Sequence, residues 1–150
     1  MEDILNYIKI NELIHTSGQP TIEQFSKLKE EEFEVIINIA LCNSSNALEN
    51  EDKIVSELGM TYIHLPIDFE EPKLSDLKLF INILQSLGAN KVLVHCAKNY
   101  RVSAFMYVYH KYILQTPFDN IDLSMFEQWS PNKTWQSLMK VSFDDLKKAY

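Results

Sequence analysis

Residues 91–105, Lys-Val-Leu-Val-His-Cys-Ala-Lys-Asn-Tyr-Arg-Val-Ser-Ala-Phe, are the stretch that decides the fold. The apolar run at 92–94 ends in His95 and Cys96, and Arg101 then opens an apolar pattern with helical spacing. A strand, a tight loop and a helix N-terminus make an anion site, because free backbone N–H groups and the helix dipole point at the loop. The sequence therefore predicts an anion-binding loop between a strand and a helix.

The two reactive side chains of this stretch indicate the chemistry. A cysteine at a helix N-terminus loses its proton readily, and the thiolate is a nucleophile. An arginine offers a planar fork that matches the oxygens of a phosphate group. Cys96 and Arg101 together favour attack by sulfur on an oxyanion such as a phosphate ester.

Composition sets limits on what the chain does. Its 150 residues are 46% hydrophobic and 23% charged, which is typical of one globular domain, so we expect a single domain over 1–150. The net charge of −7 argues against binding to nucleic acid or to an anionic membrane. No stretch approaches the roughly 20 apolar residues of a membrane span, and the N-terminus lacks a signal-peptide pattern. The only cysteines, Cys42 and Cys96, make no disulfide framework, which favours the reducing cytoplasm.

Strand and helix patterns alternate along the chain. Strand patterns fall at 12–17, 33–40, 62–65 and 92–95, and helical patterns at 22–31, up to Gly59, 74–87, 101–114, 121–129 and 133–148. This order predicts an α/β fold, with a central, mostly parallel sheet of about four or five strands flanked by helices. In such sheets functional loops lie at the carboxyl ends of the strands, so the loops after residues 40, 65 and 95 should share one rim.

The motif around Cys96 resembles the active-site loop of protein tyrosine phosphatases, on the basis of His95-Cys96, Arg101 and Ser103. That family usually has five residues between cysteine and arginine, whereas this chain has four. Segments 17–21 and 35–39 resemble the opening of a bacterial group of tyrosine-phosphatase-like proteins, and 129–135 resembles the closing segment of that group. The resemblance covers nearly the whole chain, and members of that group resemble it in the short spacing between cysteine and arginine.

The resemblance implies roles for the residues of the loop. Cys96 would be the nucleophile and Arg101 the oxyanion clamp, and His95 would support the loop unless it is an ordinary core histidine. Ser103 would assist departure of the thiolate or cap the helix start. The substrate-binding residues would be Ala97, Lys98, Asn99, Tyr100 and Ser103. Asn99 stands where the family has glycine, and asparagine tolerates the left-handed backbone region that such a loop needs.

A general acid must protonate the leaving group, and the acidic segment after the third strand pattern supplies the candidates. These are Asp68, Glu70, Glu71 and Asp76, with Asp68 first because it is nearest to the strand end. Cys42 lies on the predicted rim and is either a redox partner of Cys96 or a reduced bystander. The four histidines have no metal-ligand spacing, so we expect no metal site.

The sequence thus predicts a cysteine-dependent phosphatase that works through a phosphocysteine intermediate without a metal or cofactor. Its partner would be a phosphorylated protein, such as one bearing phosphotyrosine, or a small phosphoester. Two alternatives stay open. The four-residue loop matches rhodanese-type sulfurtransferases, in which Cys96 would carry a persulfide. The same cradle would also suit an inactive module that only binds phosphate.

Overall fold

Five short strands form one sheet in the computed structural model, which describes residues 1–147. The strands are β1 (Ile8–Lys9), β2 (Ile14–Ser17), β3 (Val35–Asn38), β4 (Thr61–His64) and β5 (Val92–His95). Their spatial order is β1-β2-β5-β3-β4, and only β1 runs antiparallel to its neighbour. The predicted α/β architecture with a mostly parallel sheet is confirmed. The sequence did not indicate β1, because two residues are too few to show a period.

Helices cover the connections between the strands. They are α1 (Ile22–Glu30), α2 (Glu51–Glu57), α3 (Leu74–Ser86), α4 (Tyr100–Tyr109), α5 (Met125–Gln128), α6 (Lys133–Met139) and α7 (Phe143–Lys147), with a 3₁₀ turn at Phe118–Asn120. The helix predicted over 101–114 changes at its end into a π-helical turn, His110–Leu114. The helix predicted over 133–148 is wrong as one element, since α6 and α7 are separate, and residue 148 lies outside the described residues.

Two apolar clusters lie on opposite faces of the sheet, because successive strand residues point to opposite sides. Ile37 and Val94 belong to the larger cluster, which includes residues of α3, α4 and α6. Ile36 and Leu93 belong to the smaller cluster, which includes residues of α1 and α2. A sheet buried on both faces explains why its central strands read as continuous apolar runs.

Strand register brings the functional loops to one edge. Asn38 at the end of β3 pairs with His64 on one side and His95 on the other, and Ser17 pairs with His95. The segments that follow these strands therefore begin side by side. The predicted rim is confirmed. Among residues 1–147, no helix is long and apolar enough to cross a membrane.

Candidate active site

The loop after β5 is fixed through its carbonyl groups. The carbonyl oxygen of Ala97 accepts hydrogen bonds from Gln19 N at 3.1 Å and Asn46 Nδ2 at 2.9 Å. The carbonyl oxygen of Lys98 accepts from Asn6 Nδ2 at 2.9 Å. The first N–H groups of a helix have no partner within the helix, so the start of α4 can offer its N–H groups to an anion. Cys96 directly precedes Ala97 and is 1% exposed.

Asn99 makes the turn from the loop into α4. Its backbone has φ 68° and ψ 13°, in the left-handed region, as the sequence predicted. Its Nδ2 donates to the carbonyl oxygen of Asn6 at 2.8 Å and to Thr16 Oγ1 at 3.1 Å. Ser103 Oγ donates to Asn99 Oδ1 at 3.4 Å, so the hydroxyl faces the helix start. Asparagine thus supplies both the backbone conformation and the bonds that hold it.

Arg101 is a buried cation in the first turn of α4. It is 6% exposed, and its Nη1 donates to the carbonyl oxygen of Ile67 at 2.9 Å. The guanidinium carbon lies 5.5 Å from the centre of the Phe69 ring. No carboxylate of residues 1–147 lies within ion-pair distance of it. Because a buried charge is costly without a partner of opposite sign, this position is suited to an anionic ligand.

His95 connects the cysteine to a buried acid. Its Nδ1 lies 3.0 Å from the carbonyl oxygen of Cys96, and its Nε2 lies 2.7 Å from Glu51 Oε2. Glu51 Oε1 accepts from Gln19 Nε2 at 2.6 Å. Burial alone would raise the pKa of Glu51, but the hydrogen bonds and charge of His95, with bonds from Gln19 and Tyr62, hold this pKa below its usual value.

The candidate acids separate according to their contacts. Asp68 is exposed, accepts from the backbone N–H of Glu70 at 2.9 Å and directly follows Ile67, the residue whose carbonyl oxygen accepts from Arg101. Asp76 accepts from the backbone N–H of Lys73 at 3.1 Å and so caps α3. Glu70 and Glu71 are exposed on the same loop as Asp68. Asp68 is therefore the candidate acid that is adjacent in sequence to the hydrogen-bond acceptor of Arg101.

Aromatic rings form a wall next to this loop. Tyr100 stacks on Trp129 with ring centres 5.4 Å apart and planes 4° apart. Phe69 lies 5.6 Å from Trp129 and 5.7 Å from Trp135, centre to centre. Since Phe69 also lies beneath the guanidinium, the wall borders the anion position.

The second cysteine lies in the segment that follows β3. Cys42 is an exposed free thiol, and it lines a cavity of about 380 Å³ with residues that include Glu51, Tyr62 and His64. Cys96 is also a free thiol. Within residues 1–147, no group of three or more histidine, cysteine or acidic side chains could hold a metal ion.

Comparison with protein families gives one match over most of the chain. Residues 5–140 match the family model described as "PTP-NADK: DSP-PTPase phosphatase fused to NAD+ Kinase". The chain belongs to this PTP-like phosphatase family. As a member of this cysteine-based family, the chain is an enzyme of the phosphoric monoester hydrolase type.

Solved structures agree with the family assignment. A DUF442 candidate phosphatase from Shewanella putrefaciens CN-32 has 32% identity and a TM-score of 0.84, over 92% of this chain and 91% of that chain. TpbA from P. aeruginosa, in a complex with pTyr, has 13% identity and a TM-score of 0.74, over 95% and 88%. The core catalytic domain of the PP-IP phosphatase SIW14 from S. cerevisiae has 17% identity and a TM-score of 0.72, over 96% and 90%. The last two show the shared fold alone. No curated protein matched the chain.

Some residues of this PTP-like site carry no sequence signal. Glu51 is an acid in the first turn of a helix, which usually indicates a solvated residue near the helix dipole. Asn6 lies in a segment without periodicity, yet its side chain and carbonyl bond to the loop around Asn99. Their partners lie 44 and more than 90 positions away, so only the folded chain reveals these contacts.

Proposed function

We propose that this chain hydrolyses phosphate monoesters with Cys96 as nucleophile, Arg101 as clamp and Asp68 as general acid. Its substrate would be a phosphorylated protein or a small phosphoester, and residues 1–150 would form one catalytic domain. The free thiols of Cys42 and Cys96 favour a reducing compartment such as the cytoplasm.

The observation that carries the proposal is the buried guanidinium of Arg101, which has no carboxylate partner within residues 1–147. Arg101 lies in the first turn of α4, the helix that directly follows the cysteine loop. A phosphate bound there would supply the missing negative charge, and its oxygens would accept hydrogen bonds from the N–H groups at the start of α4. The phosphorus would then lie close to the only sulfur of the loop.

The reaction would have two steps. The Cys96 thiolate attacks phosphorus, and the ester P–O bond breaks with its electron pair on the leaving oxygen, which takes a proton from Asp68. Water then attacks the phosphocysteine and gives a proton to the Asp68 carboxylate, the S–P bond breaks with its electron pair on sulfur, and inorganic phosphate and the thiolate are released. Arg101 and the loop N–H groups hold the non-bridging oxygens in both steps. Further binding roles would fall to Ala97, Lys98, Asn99, Tyr100 and Ser103, the last assisting departure of the thiolate.

Hydrolysis of p-nitrophenyl phosphate by the reduced protein tests the proposal. We expect turnover in the parent protein and only the background rate with Cys96→Ser. Asp68→Asn should lower kcat by about 10²-fold, as for loss of a general acid. Asp76→Asn is the rival variant, and a larger loss of kcat there than with Asp68→Asn would transfer the acid role to Asp76.

A parallel assay of sulfur transfer from thiosulfate to cyanide separates the alternatives, because the four-residue loop also suits a persulfide. Sulfur transfer without phosphate release would replace the proposal with a sulfurtransferase. Tight phosphate binding without either reaction would leave a binding module.

A further inference from the structure

A buried carboxylate lies behind the catalytic loop, and the reaction above gives it no task. Glu51 opens α2 and is 5% exposed, although acids rarely lie inside a protein without a partner. Its partner is His95, which is completely buried and also faces the carbonyl oxygen of Cys96. One imidazole ring therefore joins Glu51 to the peptide of the nucleophile, and we call these two residues the Glu51–His95 pair.

Hydrogen-bond chemistry fixes the charge of this pair. A carbonyl oxygen carries no hydrogen, so His95 Nδ1 must donate to the Cys96 oxygen. Glu51 Oε1 accepts a hydrogen bond from Gln19, and its neighbours hold the pKa of Glu51 below its usual value, so Glu51 Oε2, 2.7 Å from His95 Nε2, is an oxygen of an ionised carboxylate. His95 Nε2 must then donate too. A ring that donates from both nitrogens is an imidazolium cation.

We propose that Glu51 is a positioning residue that keeps His95 charged beside Cys96 and so favours the nucleophilic thiolate. A neighbouring positive charge stabilises a thiolate, and the effect is strong where water and salt are excluded. Without the carboxylate, a completely buried imidazole would lose its charge, because burial favours the neutral ring. Glu51 thus acts on the sulfur through His95 and touches no substrate.

The other groups that face the pair leave this charge assignment intact. Tyr62 of β4 bonds to Glu51, and burial raises the pKa of Tyr62, so it stays a neutral donor. Asp52, the next residue of α2, is exposed. Gln19 is uncharged. At its Nδ1 side the imidazolium meets the backbone carbonyl oxygen of Cys96, the residue that carries the thiol.

The rate at which iodoacetamide alkylates Cys96, measured against pH, tests the proposal. All variants carry Cys42→Ser, so that one thiol reacts. In Glu51→Gln the midpoint of the profile should move to higher pH, with the rate at pH 6 falling about tenfold. Asp52→Asn makes the same change of charge one residue away and should keep the parent profile. An unchanged profile in Glu51→Gln would overturn the proposal.

Nitrogen-15 NMR of the histidine rings gives a second reading that needs no variant. At pH 7 both ring nitrogens of His95 should carry a proton in the parent protein, and a neutral ring would overturn the proposal.

In a His95→Asn background, Glu51→Gln should shift the alkylation profile no further. The inference rests on the proposed function only for its effect on turnover. Alkylation needs no turnover, so a shifted profile in a protein without phosphatase activity would contradict the proposed function alone.

Discussion

At the scale of single residues, the clearest feature is that Arg101 is buried without an acid beside it among residues 1–147. Its Nη1 donates to the Ile67 carbonyl oxygen, a neutral acceptor. A neutral acceptor offsets part of the desolvation of a cation, whereas an anion offsets more of it. The side chain is therefore held ready for a ligand at some expense of stability in the empty protein.

Inorganic phosphate should stabilise the protein through Arg101. At a concentration 100 times the dissociation constant, we expect about 2.7 kcal/mol of added stability and a rise in Tm of several degrees. Arg101→Met keeps a similar side-chain volume and should abolish this rise in Tm, because the guanidinium group that binds phosphate is removed. Differential scanning fluorimetry with phosphate, and with chloride at equal ionic strength, measures both. An equal rise in Arg101→Met would show that phosphate binds elsewhere.

Gly18 is a residue at which one methyl group should disturb the loop. A Cβ there would lie 2.7 Å from the carbonyl oxygen of Ala97 and 3.0 Å from Leu5 Cδ2, so the backbone must move. We expect Gly18→Ala to cost about 1–3 kcal/mol of stability and to lower kcat/KM. Urea unfolding and a turnover assay measure the two effects.

Gly88→Ala is the matched control for Gly18→Ala. Gly88 has φ 51°, and a Cβ at this position would meet no atom within 4 Å. The residue lies between α3 and the start of β5, whereas the candidate site follows the end of β5. Its substitution should cost about 1–2 kcal/mol through backbone strain alone and keep turnover. If both variants kept turnover, the contact between Gly18 and Ala97 would have no bearing on the site.

At the scale of elements, α4 owes its starting point to Asn99. The helix has no acid in its first turn and no side-chain cap at Asn99, so the usual signals of a helix start are missing. The left-handed conformation of Asn99 and its bonds to Asn6 and Thr16 place the helix instead. The N-terminus of α4 is consequently set by the loop and by the sheet.

Substitutions of Asn99 should reverse the usual ranking of alanine and glycine. Asn99→Gly loses the side-chain bonds but keeps the left-handed backbone, whereas Asn99→Ala loses both, so alanine should be less stable by about 1–2 kcal/mol. At Ser26, an exposed position inside α1, alanine should be more stable than glycine by about 1 kcal/mol. Urea unfolding of the four variants measures both differences. The same sign at both positions would contradict this account of the helix start.

At the scale of the whole molecule, the sequence predicted what depends on local pattern. The apolar runs indicated the parallel strands, and strand–helix alternation indicated the shared rim. The π-helical turn after α4 escaped prediction because the apolar spacing of 110–114 also fits an α-helix. The break between α6 and α7 has no glycine or proline to indicate it. Glu51 and Asn6 were missed because their contacts exist only in the tertiary fold.

Acid should destabilise the whole molecule in two ranges of pH. Burial lowers the pKa of His15 and of His110 below 6.5, and His95 holds the pKa of Glu51 below 4.5 despite burial. In each case the unfolded chain binds protons at a higher pH than the folded chain does, so stability is complete above those values and lost below them. Urea unfolding between pH 6.5 and pH 4 should therefore give a falling free energy, and His110→Gln should flatten its upper part. A constant free energy from pH 6.5 to pH 5 would contradict the assignment.

Asn6 joins distant parts of the chain and thereby affects when the site forms. Its side chain bonds to Lys98 and Gln128, and its carbonyl oxygen bonds to Asn99, across 92, 122 and 93 positions of sequence. The bond to Gln128 closes 122 positions of chain, whereas the pairing of β2 with β5 closes only 78, and longer loops cost more entropy to close. We expect the sheet to acquire protection in pulse-labelled hydrogen exchange before the anion loop does. Most of this chain would therefore have left the ribosome before the loop after β5 could form its bonds to Asn6.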